Sequence, residues 1–226
     1  LRPFQVVWLD IEHTDGKRYY SWDKSLFPDP IAMQNKLAEH GRKMVTIVDP
    51  HIKRDGGYYL HKEADEQGLY VKNSDGTTTF DGWCWPGSSS YPDYTNPKVR
   101  DWWASQFAYN KYAGSTKHLF TWNDMNEPSV FNGPEVSMKK DVKNLDGVEH
   151  REWHNLYGFM HHWASMRGGA ERDAIAAPAS PLSERQRPFV LTRSYFAGSQ
   201  RFGAMWTVSN IYFSHQYSYD FTLLYD

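Results

Sequence analysis

Short apolar runs recur along the chain, and several end in a polar or charged residue. Gln5-Val6-Val7-Trp8-Leu9 ends in Asp10, and 43–48 runs into Asp49-Pro50-His51. His118-Leu119-Phe120-Thr121-Trp122 leads to Asn123-Asp124, and Pro188-Phe189-Val190-Leu191-Thr192 ends in Arg193. A fifth run covers 203–207. Continuous rather than alternating apolar character suits strands buried on both faces, as in a parallel sheet. Between them, apolar positions near helical spacing predict helices over 31–42, 99–112 and 149–166. Strand, polar loop, helix, strand is the order of an α/β fold.

Polar residues at successive strand ends point to a (β/α)8 TIM barrel, whose active site lies at the C-terminal face of its strands. Five of the eight strands are in view, so the barrel is partial. A doubly wound open sheet is the alternative, but its Gly-rich phosphate loop after the first strand is missing. Two long loops are inserted. Residues 55–97 carry a hairpin around Asn73-Ser74-Asp75-Gly76 and the cluster Trp83-Cys84-Trp85-Pro86-Gly87. Residues 168–186, rich in Ala, Pro, Ser and charge and without an aromatic residue, read as a flexible insertion.

Composition narrows the function classes. Twenty-five Lys and Arg against 27 Asp and Glu give a net charge of -2 over 226 residues, which offers no electrostatic case for nucleic acid. No apolar stretch is long enough for a membrane-spanning helix. The single cysteine, Cys84, excludes an internal disulfide and a cysteine-based zinc cluster. His150, His154, His161 and His162 fall on one predicted helix without a metal-binding pattern. They read as a solvated or partly buried helix face, and no metal or cofactor is expected. Aromatic residues reach 16%, with ten Trp, enough either for a Trp-rich core or for sugar-stacking walls.

The densest chemistry lies at Trp122-Asn123-Asp124-Met125-Asn126-Glu127. Two acids and two amides crowd one strand end, where each polar group buried unpaired costs about 1–3 kcal/mol. A substrate is one way to satisfy them; a hydrogen-bond network capping the strand is the other. Asp124 and Glu127 are tempting as the paired carboxyls of a glycosidase. Their closeness in sequence does not make them converge on one sugar, and a second carboxyl from another strand is the better expectation. Asp10 could grip sugar hydroxyls or form a salt bridge, and Arg193 could do the same or orient a carboxylate.

Trp122 to Glu135 resembles the catalytic signature of glycoside hydrolase family 31. Val7-Trp8-Leu9-Asp10-Ile11-Glu12-His13, Ile47 to Lys53, Gly82-Trp83-Cys84-Trp85-Pro86-Gly87, Tyr91 to Pro97 and Phe196 to Arg201 are similar to further segments of that family. The resemblance implies a retaining exo-α-glucosidase working by double displacement, with Asp124 as nucleophile. Asp10, Trp85, Trp122, Met125, Phe131, Arg193 and Trp206 match sugar-pocket positions, and Glu127 becomes a supporting residue. It also implies α-1,3 glucose of N-linked glycans as substrate, the endoplasmic reticulum lumen as location and a non-catalytic β subunit as partner. An α-xylosidase is the alternative within the family.

The family's general acid follows Gly-Ala-Met-Trp-Thr, and here Ser209 stands in its place. A serine cannot donate a proton with a pKa near 7, a contribution worth about 10²–10⁴-fold. Residues 1–207 are therefore expected to be a partial catalytic barrel, and 208–226 an unrelated tail of gene-model origin. The chain opens on Leu1 without an initiator Met and reads as a fragment, inactive alone. A non-catalytic, carbohydrate-binding pseudoenzyme is the other reading of Ser209.

Overall fold

The computed structural model describes residues 4–176, 178 and 185–206. The five apolar runs form five strands: β1 (Val6–Leu9), β2 (Lys43–Ile47), β6 (Leu119–Asn123), β7 (Val190–Thr192) and β8 (Ala204–Met205). They make one sheet in the order β1-β2-β6-β7-β8, and each neighbouring pair is parallel. The order follows the chain without reversing. A doubly wound sheet reverses at a switch point, so this is the arc of a barrel.

Helices cover the sheet. The first is α1 (Pro30–Glu39). Its start is set by Asp29, whose side chain accepts from Ala32 N, and by Pro30 in the first turn. Its end is a paired C-cap, with Gly41 N donating to Ala38 O and Arg42 N to Leu37 O. Asn96 and Pro97 open α3 (Pro97–Ser105) in the same way. This helix stops short of the expected residue 112, although Phe107 and Tyr112 are buried in the core beyond it.

The loop between β2 and α3 is not structureless. It contains β3 (Ile52–Lys53), α2 (Tyr59–Glu66), β4 (Asp81–Cys84) and β5 (Gly87–Ser90). The strands form a small antiparallel sheet, β3-β5-β4. The expected hairpin is present: Lys72 pairs with Thr79, and Gly76 N donates to Asn73 O at 2.8 Å.

The last helix, α4 (His150–Ala176), runs into the first part of the segment expected to be a flexible insertion, 168–186. The helix continues through Gly168 to Ala176, and residues 177 and 179–184 of that segment lie outside the described residues, as does the tail 208–226. Gly168 is a packing residue, not a helix stop. A Cβ there would lie 2.4 Å from the Phe107 ring and 2.7 Å from Ala104 O, so only glycine lets α4 approach the end of α3 this closely. Gly168→Ala should destabilise the fold by about 1–3 kcal/mol, the cost of overpacking a filled contact. Urea denaturation checks this, and an unchanged midpoint would show that the two helices separate without penalty.

Trp103 lies at the centre of the core, fully buried, with edge contacts to Tyr20, Tyr94 and His161. Three of the four α4 histidines sit deeper than expected: His150, His161 and His162 are all buried, and only His154 is half-exposed. The amphipathic stripe read for α4 therefore underestimates how much of the helix is covered.

Candidate active site

Because all five strands run the same way, their C-terminal ends share one edge, and the polar residues that terminate the apolar runs gather there. Asp10 follows β1, Asp49 and His51 follow β2, Asp124 to Glu127 follow β6, Arg193 follows β7 and Trp206 follows β8. Arg193 is the hub. Its Nε and Nη2 donate to the two carboxylate oxygens of Glu127 at 2.7 and 3.0 Å, the forked geometry that guanidinium allows. Its Nη1 lies 3.1 Å from Asp124 Oδ1, an ion-pair contact rather than an aligned hydrogen bond. Nη2 also touches Met125 Sδ at 3.1 Å.

The two amides of this segment have structural work. Asn123 Nδ2 donates to Val48 O at 2.8 Å and ties the end of β6 to β2. Asn126 Nδ2 donates to Thr192 Oγ1 at 2.8 Å, and Asn126 Oδ1 accepts from Ser194 N at 2.9 Å, which ties it to β7. Helix α4 presses on this knot at Gly158, where a Cβ would lie 2.4 Å from both Asn126 O and Ser194 Oγ. Of the two expectations for the polar cluster, the hydrogen-bond network is the one on view. The amides cap the strand end, and the acids converge on the arginine.

Burial pushes the Asp124 carboxyl up to about 6. Arg193 and the Met125 backbone N–H oppose this, while Glu127 and Asp10 add repulsion. Burial also works against the Arg193 guanidinium, but Glu127 and Asp124 outweigh it and hold it protonated. Beneath them lies a fully buried group that the sequence reading left without a role. Asp49 accepts from the Tyr19 hydroxyl, which also contacts His51 Nε2 at 3.1 Å. Burial, then the charge of Asp124, raises the Asp49 carboxyl well above the usual range. Burial alone lowers His51 to about 3. The available signal was the same as for Asp10, a carboxylate closing an apolar run.

Aromatic side chains stand around the charges. Trp85 and Phe131 meet edge-on with ring centroids 4.9 Å apart, and both remain exposed. Trp122 lies between Trp8 at 5.4 Å and Trp206 at 5.7 Å. The β4–β5 hairpin is fastened to the segment after β6, with Phe131 N donating to Trp83 O at 2.7 Å and Trp83 N to Asn132 Oδ1 at 2.8 Å. Asp10 is exposed, with one oxygen accepting from Ile11 N at 2.7 Å. Among the described residues it forms no ion pair. Ser209 lies outside the described residues. No group of three or more His, Cys, Asp or Glu side chains among the described residues is placed to hold a metal ion.

Charged strand ends on one edge of a parallel arc, flanked by exposed aromatic faces, are the arrangement of the active face of a (β/α) barrel. The chain belongs to glycosyl hydrolase family 31: residues 2–220 match the TIM-barrel domain of that family. It is 61% identical to neutral alpha-glucosidase AB of Dictyostelium discoideum over 208 residues, 92% of this chain and 21% of that protein. It is 58% identical to a probable glucan 1,3-alpha-glucosidase of Oryza sativa subsp. japonica, covering 92% of this chain and 22% of the relative. Among solved structures, the glucosidase II alpha subunit with alpha3-Glc2 bound superimposes with a TM-score of 0.84 at 51% identity, over 91% of this chain and 21% of that one. The chain thus spans about a fifth of the length of these relatives.

Proposed function

We propose that this chain supplies the nucleophile-bearing part of a retaining exo-α-glucosidase that removes α-1,3-linked glucose from N-linked glycans. The observation that carries the reading is Asp124: a largely buried carboxylate at a strand end, in contact with Arg193 and lying among aromatic faces. Asp124 attacks the anomeric carbon and forms a β-linked glycosyl-enzyme. The leaving oxygen takes a proton from a general acid, and water then opens the ester with a second inversion, restoring the α configuration. With a pKa of about 6 the carboxyl is mostly ionised at neutral pH and ready to attack. The same raised value has a stability consequence. The folded chain holds this proton more tightly than the unfolded one, so the stabilising contribution is present in acid and is lost as pH rises through about 6.

Asp10 and Arg193 hold hydroxyls, Arg193 also orients the nucleophile, and Met125 packs against the guanidinium, while Trp85, Trp122, Phe131 and Trp206 form the walls against which the ring stacks. Glu127 sets the guanidinium. The α-1,3 linkage is supported by the names of the relatives, and a solved heterodimer of endoplasmic-reticulum glucosidase II with its regulatory subunit supports both a β-subunit partner and a luminal location. Trapping tests the reading. A 2-fluoro-glucosyl donor given to the full-length catalytic subunit should label the peptide containing Asp124. A label elsewhere, or none, overturns it.

Ser209 favours a second reading, a protein that binds glucose without hydrolysing it. A transcript encoding Gly-Asp-Asn after Thr207 would remove that reading.

A further inference from the structure

We propose that a cavity of about 450 Å³ between residues 134–141 and the start of α4 binds a neutral sugar unit, read by Nε2 of His154. Its volume falls within the roughly 300–1,000 Å³ typical of small-ligand pockets. The protonation pattern of its walls follows from the hydrogen bonds alone. His150 Nδ1 faces two carbonyls, Met138 O at 3.2 Å and Lys139 O at 3.3 Å, and so must carry the hydrogen. His150 Nε2 is then a lone pair, and the 2.9 Å contact from His154 Nδ1 requires the hydrogen to sit on His154 Nδ1. That leaves Nε2 of a neutral His154 as an acceptor, and it has no hydrogen-bond partner among the described residues.

A lone pair accepts from a hydroxyl and repels an anion. Burial keeps both rings neutral, and for His154 it outweighs Glu127 and Glu135. The lining charges are of both signs: Lys140 lies 3.7 Å from Glu135, Arg151 lies 2.7 Å from Glu149, and Lys139 and Asp141 also line the cavity. The walls therefore offer acceptors and donors without a large net field, as a polyol requires. The rim itself is held in an uncommon conformation, with Glu135 at φ 55° and Val136 at φ 56°, both left-handed. Such backbone clusters at ligand sites. The choice of a sugar among neutral polyols rests on the α-glucosidase reading, since the segment whose Glu127 grips Arg193 runs on into the cavity wall at Pro134.

Saturation-transfer NMR with mannobiose on the full-length catalytic subunit tests this, with the glucose end first filled by deoxynojirimycin. Mannobiose should still bind, and titration should shift the His154 ring signals of the unaltered chain. His154→Phe should weaken binding at least tenfold, while His154→Gln, which keeps an acceptor, should stay within about threefold. Displacement by deoxynojirimycin, unshifted His154 signals or full binding in His154→Phe would overturn the proposal, as would inorganic phosphate competing for the cavity. If mannobiose binds but deoxynojirimycin does not, the cavity stands and the α-glucosidase reading fails.

Discussion

Asp124→Asn should reduce hydrolysis of p-nitrophenyl α-glucoside by the full-length catalytic subunit by roughly 10⁴-fold or more, the scale on which loss of a covalent nucleophile acts. The substitution keeps the shape of the side chain and removes only the charge and the attacking oxygen. It should leave the fold intact. The carboxylate is mostly buried, and burial is the largest influence on its pKa, so its charged form is held at a cost that the amide does not incur. The melting temperature should therefore stay level or rise while turnover disappears. A variant that retains turnover removes Asp124 as nucleophile. A variant that loses turnover and unfolds points to a structural role instead.

The centre of the sheet was legible in the sequence because β2 and β6 are buried on both faces and read as continuous apolar runs, whereas β1 at the edge alternates exposed and half-buried positions. In β2, Met44 to Ile47 are all buried. The helices were less legible. Gly168 looks like a stop on local propensity, but the close approach of α3 decides its place, and that contact is between segments far apart in sequence. The small antiparallel sheet was hidden for a related reason. The β5 sequence Gly87-Ser88-Ser89-Ser90 has no apolar side chain and forms a strand only because β3 and β4 flank it. At the site, Asp124 and Arg193 stood out as charges closing apolar runs. That Glu127 would grip the same guanidinium was not visible, since the turn at Met125, at φ 57°, redirects the chain between the two acids. Tyr19 reaches Asp49 and His51 from a different loop, and no local pattern marks it as their partner.

Removing the hub should disturb both acids at once. In Arg193→Met, Asp124 loses its strongest stabilising partner while Glu127 still repels it, so its carboxyl rises above about 6. Activity requires the ionised form. The acid limb of kcat/KM, expected near pH 6 in the unaltered enzyme, should therefore move to higher pH. At the plateau, kcat/KM should still be about 10²–10³-fold lower, the usual cost of removing a preorganised charged group from a site of this kind. Stability should fall by about 3 kcal/mol, the lower end for breaking a buried pair, because the Arg193 side chain is itself 26% exposed. Arg193→Lys separates charge from geometry. A lysine restores a positive charge near Asp124 and should return the acid limb toward 6, but it cannot span both oxygens of Glu127 and should recover only part of the rate. If the limb stays at the same pH in Arg193→Met, Arg193 does not set the ionisation of Asp124, and the link drawn between the end of β7 and the end of β6 is wrong.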